Sequence, residues 1–271
     1  MRFQARRESL RLMKLFQPAK ETWLYRINPA GKFLIFMSLL LIALINNQFD
    51  FAFYQMVFYM VLLLAYSGYS GKKLLLFTSP FILTFLSSAS TMILFGKGSE
   101  IWWSWGLIKI SNESFHHGLL IGFKTLAFGA LGMLFALTTK PLLLFYALMQ
   151  QFRLPAKYAY SFIAAIRMLP LLWEEIGIRR NALEIRGLQF SPGVRGWYER
   201  LQQYAVPLLA QSIRRAQRVA IAMEAKRFQM SSARTYYYQT RFAAIDLIFL
   251  LFFAGVLAAA FAVSVYLPIK R

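Results

Sequence analysis

The chain has 271 residues, of which 58% are hydrophobic and only 15% charged. Soluble globular chains sit near half apolar and a quarter charged, so this balance points to a membrane protein rather than to a larger soluble core. There is no cysteine and there are only two histidines, which excludes disulfides, thiolate nucleophiles and cysteine metal sites and leaves little acid–base chemistry to distribute.

The formal net charge is +20. Its placement argues for membrane topology rather than nucleic acid. Arg2, Arg6, Arg7, Arg11, Lys14, Lys20, Arg26 and Lys32 open the chain, and residues 153–241 hold fifteen Lys/Arg against five acids. The apolar stretches between carry few charges, as expected when basic segments stay on the cytoplasmic side. No small-residue cleavage site follows the first apolar run, so residues 1–32 read as a basic cytoplasmic N-terminus and not as a signal peptide.

Residues 33–139 read as a membrane domain of about four spans. Phe33–Ile45 is short and crosses only if tilted or if the bilayer thins. Asn46, Asn47, Gln48 and Asp50 break the run before Phe51–Tyr66. Gly68, Gly71, Lys72 and Lys73 form a basic loop, and Leu74–Phe95 is a third span with Pro80 near its start. Residues 96–118, with Glu100, Trp102, Trp103, Trp105, Asn112 and Glu113, suit an external loop at the membrane interface. Leu119–Leu137 is a fourth span interrupted by Lys124, an intramembrane charge that is either functional or held by a polar partner. Gly129 and Gly132 in that span fit close helix packing.

Residues 140–241 contain no clean span, yet alanines and leucines alternate with charge at helical spacing. Two long helices are expected, Ala156–Ile185 and Tyr198–Phe228, each about 45 Å at ~1.5 Å per residue. Gly187, Ser191, Pro192, Gly193 and Gly196 form the loop between them, and Pro170 and Pro207 are expected to bend the helices. Residues 242–271 hold a C-terminal span, Ala243–Leu267. The fold class expected is therefore all-α: a polytopic membrane protein with about five transmembrane helices and two long cytoplasmic helices.

Glu113, His116 and His117 are a thin metal cluster, because adjacent histidines do not face one point from a regular helical turn and no third ligand is near. Walker A, GxSxG and HExxH motifs are absent. The distinctive feature is a repeat at two helix ends, Ala182-Leu183-Glu184-Ile185-Arg186-Gly187 and Ala222-Met223-Glu224-Ala225-Lys226-Arg227-Phe228. Cations at a helix C-terminus complement its partial negative charge, and Gly187 suits a left-handed cap, so ordinary helix termination accounts for either end alone. The repetition favours docking onto two equivalent acidic pockets of a two-fold partner such as an ATPase pair, since an arginine pairs with a carboxylate through two parallel bonds.

These residues carry a resemblance to a family. Asn28-Pro29 with Lys32, Thr138-Thr139-Lys140-Pro141 with Leu148 and Leu154-Pro155, Arg167 with Leu169-Pro170, and the two repeated ends together resemble the transmembrane T component of energy-coupling factor transporters, uptake machines for vitamins and metal ions related to ABC transporters. The resemblance implies that residues 140–241 are a coupling-helix domain whose ends, at Arg186, Gly187, Lys226 and Arg227, insert into ATPase grooves. It implies that Ala182, Glu184, Ala222, Glu224, Arg167 and Pro170 support those helices. The implied partners are two ATP-binding cassette ATPase subunits or domains, a substrate-binding S component in the membrane, and the lipid bilayer, with no nucleic acid, cofactor, metal or catalytic residue. The implied role is non-catalytic: a subunit in the cell membrane that couples ATPase motion to uptake of a vitamin or metal ion. Arg234-Thr235-Tyr236-Tyr237 is similar to the thiamine-precursor branch. The pattern departs from the family's Ala-Arg-Gly at Ile185 and at Lys226-Arg227. If Lys226 takes the arginine's place the bidentate contact is lost; if Arg227 does, the register turns by about 100°. The alternative reading is a self-contained permease with its own solute path.

Overall fold

The computed structural model describes residues 20–96, 98, 101–105, 108–188, 190–228 and 236–268. The basic stretch Arg2–Lys14, Glu100, Arg234, Thr235, Lys270 and Arg271 lie outside the described residues. The chain divides into two compact units, one built from residues 18–147 and 239–271 and the other from Leu148–Tyr238.

The first unit is a helical membrane bundle. Its helices are α1 (Pro29–Ile45), α2 (Phe49–Tyr66), α3 (Gly71–Phe95), α4 (Asn112–Thr138), the first turns of α5 (Pro141–Gln151), and α8 (Ala244–Tyr266). α2, α3, α4 and α8 are long and apolar enough to cross a membrane, and α1 is a shorter apolar helix. α4 is the centre: it packs on α1, α2 and α3, and α8 closes the bundle against α2 and α1. Phe36, Phe249 and Phe253 stack in the interior, with ring centroids 4.8–6.0 Å apart. Leu44, Leu64, Leu83 and Leu251 stay outward, as lipid-facing residues must.

Glycine sets the approach of α3 to α4. A Cβ at Gly129 would lie 2.4 Å from the Phe81 ring, and one at Gly122 would lie 2.6 Å from Phe85. Gly129 therefore packs as expected. Gly132 does not, because it is exposed and has nothing within 4 Å. Pro80 removes the donor that would serve the Leu76 carbonyl, and the Ser79 hydroxyl replaces it at 2.8 Å, so α3 continues through the proline.

α4 begins seven residues before the expected Leu119. The cause is a reciprocal cap that hydropathy does not reveal: the Ser111 hydroxyl accepts from Ser114 N–H at 3.1 Å, and the Ser114 hydroxyl accepts from Ser111 N–H at 3.0 Å. Glu113, His116 and His117 consequently sit on the first turns of α4, with the His116 ring edge-on to Phe49. Ahead of them, β1 (Ile101–Trp105) and β2 (Ile108–Ser111) pair antiparallel where a plain loop was expected. Lys124 has polar partners: its ammonium donates to the Leu44 carbonyl at 3.0 Å and to Asn47 Oδ1 at 2.8 Å, closing the end of α1.

A polar layer holds the opposite ends of these helices. Lys32 is 1% exposed, and its ammonium donates to the Leu24 carbonyl (3.1 Å), the Thr138 carbonyl (3.1 Å) and the Thr138 hydroxyl (2.5 Å). Asn28 caps α1, its Oδ1 accepting from Ala30 N–H at 3.0 Å, with Pro29 at the first helical position. Asp246 accepts from Asn28 N–H and from Ala243 N–H, both at 2.8 Å, so one carboxylate starts α8 and ties it to α1. The Tyr25 hydroxyl lies 2.9 Å from the Leu137 carbonyl; burial, with Tyr69 and Glu21 adding, pushes its pKa up to about 12, so it remains a donor.

In the second unit, α6 (Ala156–Ile185) has the expected bounds. α7 spans Gly193–Ala225, starting five residues before the expected Tyr198 and ending before Phe228. Gly196 is thus a helical rather than a loop residue, while Gly193, at the very start of α7, keeps the left-handed backbone of a turn at φ +82°. A Cβ at Gly196 would lie 1.5 Å from the Ser191 carbonyl oxygen, so only glycine fits, and Ser191 N–H and hydroxyl both engage the Glu199 carboxylate at 3.2–3.3 Å.

Lys32→Met leaves three buried acceptors without a donor and is expected to cost about 2–4 kcal/mol. Thermal unfolding of the detergent-purified protein should show a lower midpoint for this variant than for Lys124→Met, where a half-buried ammonium serves two acceptors on exposed residues.

Candidate functional site: two matched helix ends

α6 closes with a specific set of hydrogen bonds. Gly187 N–H donates to the Glu184 carbonyl at 3.1 Å, and Leu188 N–H donates to the Leu183 carbonyl at 3.3 Å. This is the Schellman arrangement, and Gly187 supplies its left-handed residue at φ +68°. α7 closes the same way: Arg227 N–H donates to the Glu224 carbonyl at 2.8 Å, and Phe228 N–H donates to the Met223 carbonyl at 3.0 Å. Here the left-handed residue is Arg227, at φ +54°. Among the described residues only Arg153 and Arg227 are non-glycine residues at positive φ.

The two ends therefore correspond residue by residue. Ala182 matches Ala222, Glu184 matches Glu224, and Ile185 matches Ala225. Arg186 matches Lys226, each the last residue before the left-handed turn and each donating its N–H to the alanine carbonyl at 3.2 Å. Gly187 matches Arg227. Arg186, Lys226 and Arg227 are all exposed, and none pairs with a carboxylate among the described residues. Ile185 is 83% exposed, so an apolar side chain is presented beside the cation. Glu184 is held by Arg180 at 3.1 Å, leaving Arg186 unopposed by it.

Arg167 and Pro170 lie exposed on the first half of α6. Pro170 is sixteen residues from Arg186, or roughly 24 Å along the helix. They do not join the helix ends, and any support they give is to the shaft.

Sequence reasoning missed what holds α6 to α7. Glu175 accepts from the Arg215 guanidinium and from Gln211 Nε2, the latter at 2.9 Å. Arg179 Nε donates to the Gln203 carbonyl at 2.6 Å. That carbonyl is available because Pro207, four residues on, has no N–H to offer it. Pro207, a residue expected to bend α7, supplies an acceptor for the neighbouring helix. The signal was present in the sequence, since any mid-helix proline frees the carbonyl four residues before it, but nothing there named Arg179 as the donor. Beside these contacts a groove of about 210 Å³ runs between the helices, lined in part by Glu175, Ala182, Leu183, Arg186 and Pro207. Tyr160 also meets Phe228 edge-on, with centroids 5.5 Å apart, which anchors the chain leaving α7.

The exposed faces of the two helices remain strongly apolar. Phe162, Leu169 and Trp173 on α6, and Trp197, Leu201 and Leu209 on α7, are exposed. Together with the matched ends, this unit presents two cationic tips and uncovered hydrophobic shafts. No group of histidine and acidic side chains able to hold a metal ion occurs among the described residues.

Residues 20–237 match the cobalt transport protein family, CbiQ. Among curated proteins, the chain is 25% identical to the energy-coupling factor transporter transmembrane protein EcfT of Lactococcus lactis subsp. cremoris, over 82% of this chain and 86% of that protein. It is 27% identical to the protein of the same name from Streptococcus thermophilus, over 80% of this chain and 85% of that protein. A match of 28% identity to the Limosilactobacillus fermentum EcfT covers 54% of this chain and 58% of that protein. On this evidence, joined to the all-helical membrane bundle and its paired helix ends, the chain belongs to the CbiQ family, which includes the transmembrane components of energy-coupling factor transporters.

Proposed function

We propose that this chain converts ATPase motion into movement of a separate substrate-binding membrane subunit, within an importer for a vitamin or metal ion in the cell membrane. The observation that carries the reading is the residue-by-residue match of the two helix ends, which a protein meeting two equivalent ATPase subunits or domains requires and which helix termination alone does not. In this reading the tips at Arg186 and Lys226 enter acidic grooves on the two ATPases, and the unit of residues 148–238 lies on the cytoplasmic side. Lys226 takes the arginine's place, because it shares the hydrogen-bonded position of Arg186 at the helix end. Arg227 stands where the family pattern has glycine, and its role is to turn the chain. The lysine gives a point charge in place of a planar fork, so the α7 tip holds its groove with less directional specificity than the α6 tip.

The mechanism follows from the contacts that join α6 to α7. When the ATPases close on ATP and reopen after hydrolysis, the tips are carried with them. The Glu175–Arg215 and Arg179–Gln203 contacts make α6 and α7 move as a linked pair. The apolar shafts then act on the substrate-binding subunit, which reorients and releases its cargo. The chain itself performs no chemistry.

Arg186→Glu together with Lys226→Glu is expected to reduce co-purifying ATPase at least tenfold while the chain still inserts in the membrane. Unchanged ATPase retention in that double variant would exclude the docking role. Arg227→Gly separates the two cations: it should retain the ATPase and raise the thermal midpoint, because it relieves about 1 kcal/mol of left-handed backbone cost. Gly187→Ala, with its Cβ at φ +68°, should lower the midpoint by a similar energy.

A further inference from the structure

The first turns of α1, α5 and α8 open onto one cavity of about 200 Å³ within the membrane unit. Arg26, Asn28, Thr139, Lys140, Arg241 and Asp246 are among its lining residues. Two of them are built in and left unmet. Asn28 is 7% exposed and Thr139 9% exposed, and the Asn28 Nδ2 and Thr139 Oγ1 atoms are buried without any hydrogen-bond partner. An unmet buried polar group of this kind costs about 1–3 kcal/mol, so the site is prepared for something that accepts from it.

The charge around the cavity says what. Arg26 and Arg241 are exposed and pair with no carboxylate among the described residues. Lys140 pairs with Glu21, at 3.5 Å on the surface. Lys32 also borders the cavity, bonded to two carbonyls and a hydroxyl. The one acid among the described lining residues, Asp246, has both oxygens committed to backbone N–H groups. Three helix N-termini add the partial positive charge of their peptide dipoles. Water would satisfy the two unmet groups but would not pair with the two arginines beside them, as an anion does.

We propose that the cavity binds a phosphate-bearing anion, with Arg26 and Arg241 supplying charge and the Asn28 amide and Thr139 hydroxyl donating to its oxygens. The site lies where α1 and α8 begin and α4 ends, at the boundary of the apolar spans. A phospholipid headgroup reaches that depth with its acyl chains in the bilayer, and free phosphate reaches it from the aqueous side. Such a ligand pins together the helix starts that Asp246 already ties.

The test uses the full chain purified in an uncharged detergent. Native mass spectrometry follows binding of dioctanoyl phosphatidylglycerol, dioctanoyl phosphatidylcholine and inorganic phosphate. Phosphatidylglycerol should bind at least tenfold more tightly than phosphatidylcholine. Arg26→Gln with Arg241→Gln should weaken it at least tenfold, and Thr139→Val, which keeps shape and removes the hydroxyl, about threefold. Lys20→Gln, an exposed cation outside the cavity, should bind as the parent does. Thermal unfolding without lipid should be the same for the parent, the double arginine variant and Lys20→Gln, and no lower for Thr139→Val, which removes an unmet buried hydroxyl. If inorganic phosphate binds with the same dependence on these residues, the site stands and its ligand is the soluble anion. Equal loss in Lys20→Gln, no preference over phosphatidylcholine with no phosphate binding, or unchanged affinity in both cavity variants would each overturn the proposal.

Discussion

A buried ammonium organises the membrane unit. Lys32 offers three donors, and the structure gives it three acceptors, drawn from the entry segment at Leu24 and the end of α4 at Thr138. An amino group this deep is tolerated only when its hydrogen bonds are complete, so each acceptor must be in place together with the others. The requirement fixes where the chain enters the bundle, where α1 starts and where α4 stops. Asp246 does the corresponding work for α8 by accepting backbone N–H groups from two chain segments over two hundred residues apart. The apolar packing of Phe36, Phe249 and Phe253 lies beyond this polar layer. Packing among lipid-like side chains is weakly specific on its own, because the surrounding lipid is as apolar as the core.

The long apolar and amphipathic stretches were legible in the sequence because periodicity and hydropathy act locally. α6 has the bounds that its alanine–leucine pattern and Gly187 imply. What escaped was whatever depends on a partner far along the chain or on a reversal of a residue's usual meaning. Gly193 and Gly196 read as breakers, yet Gly196 is helical because the Ser191 carbonyl occupies the place of a side chain. The start of α4 rests on two serines that signal nothing by hydropathy. The tryptophan-rich stretch suggested an interface and not a hairpin, since Trp102 and its neighbours have the same preference for the interface in either form.

At the candidate site the repeat itself was visible, but its register was not. Glycine is the expected left-handed cap, so a Lys-Arg pair without glycine left two alignments open. The positive φ at Arg227 and the matching hydrogen bonds of Phe228 and Leu188 align the backbone of the two ends in one way. The contacts between α6 and α7 were beyond reach for a different reason. Arg179 meets a carbonyl twenty-four residues on, and Glu175 meets Arg215 forty residues on, and neither pairing leaves a periodic trace.

Pro207 has a consequence for how the two helices behave under load. Helices joined only by apolar ridges can reseat one turn along at modest cost. Along α7, the carbonyls one turn above and below Gln203 are consumed by their own helix, and Gln203 is the one that its proline leaves vacant. A displaced Arg179 would therefore meet only carbonyls already engaged by their own helix. The joint has a preferred seat, and it gets that property from the residue most often blamed for weakening a helix.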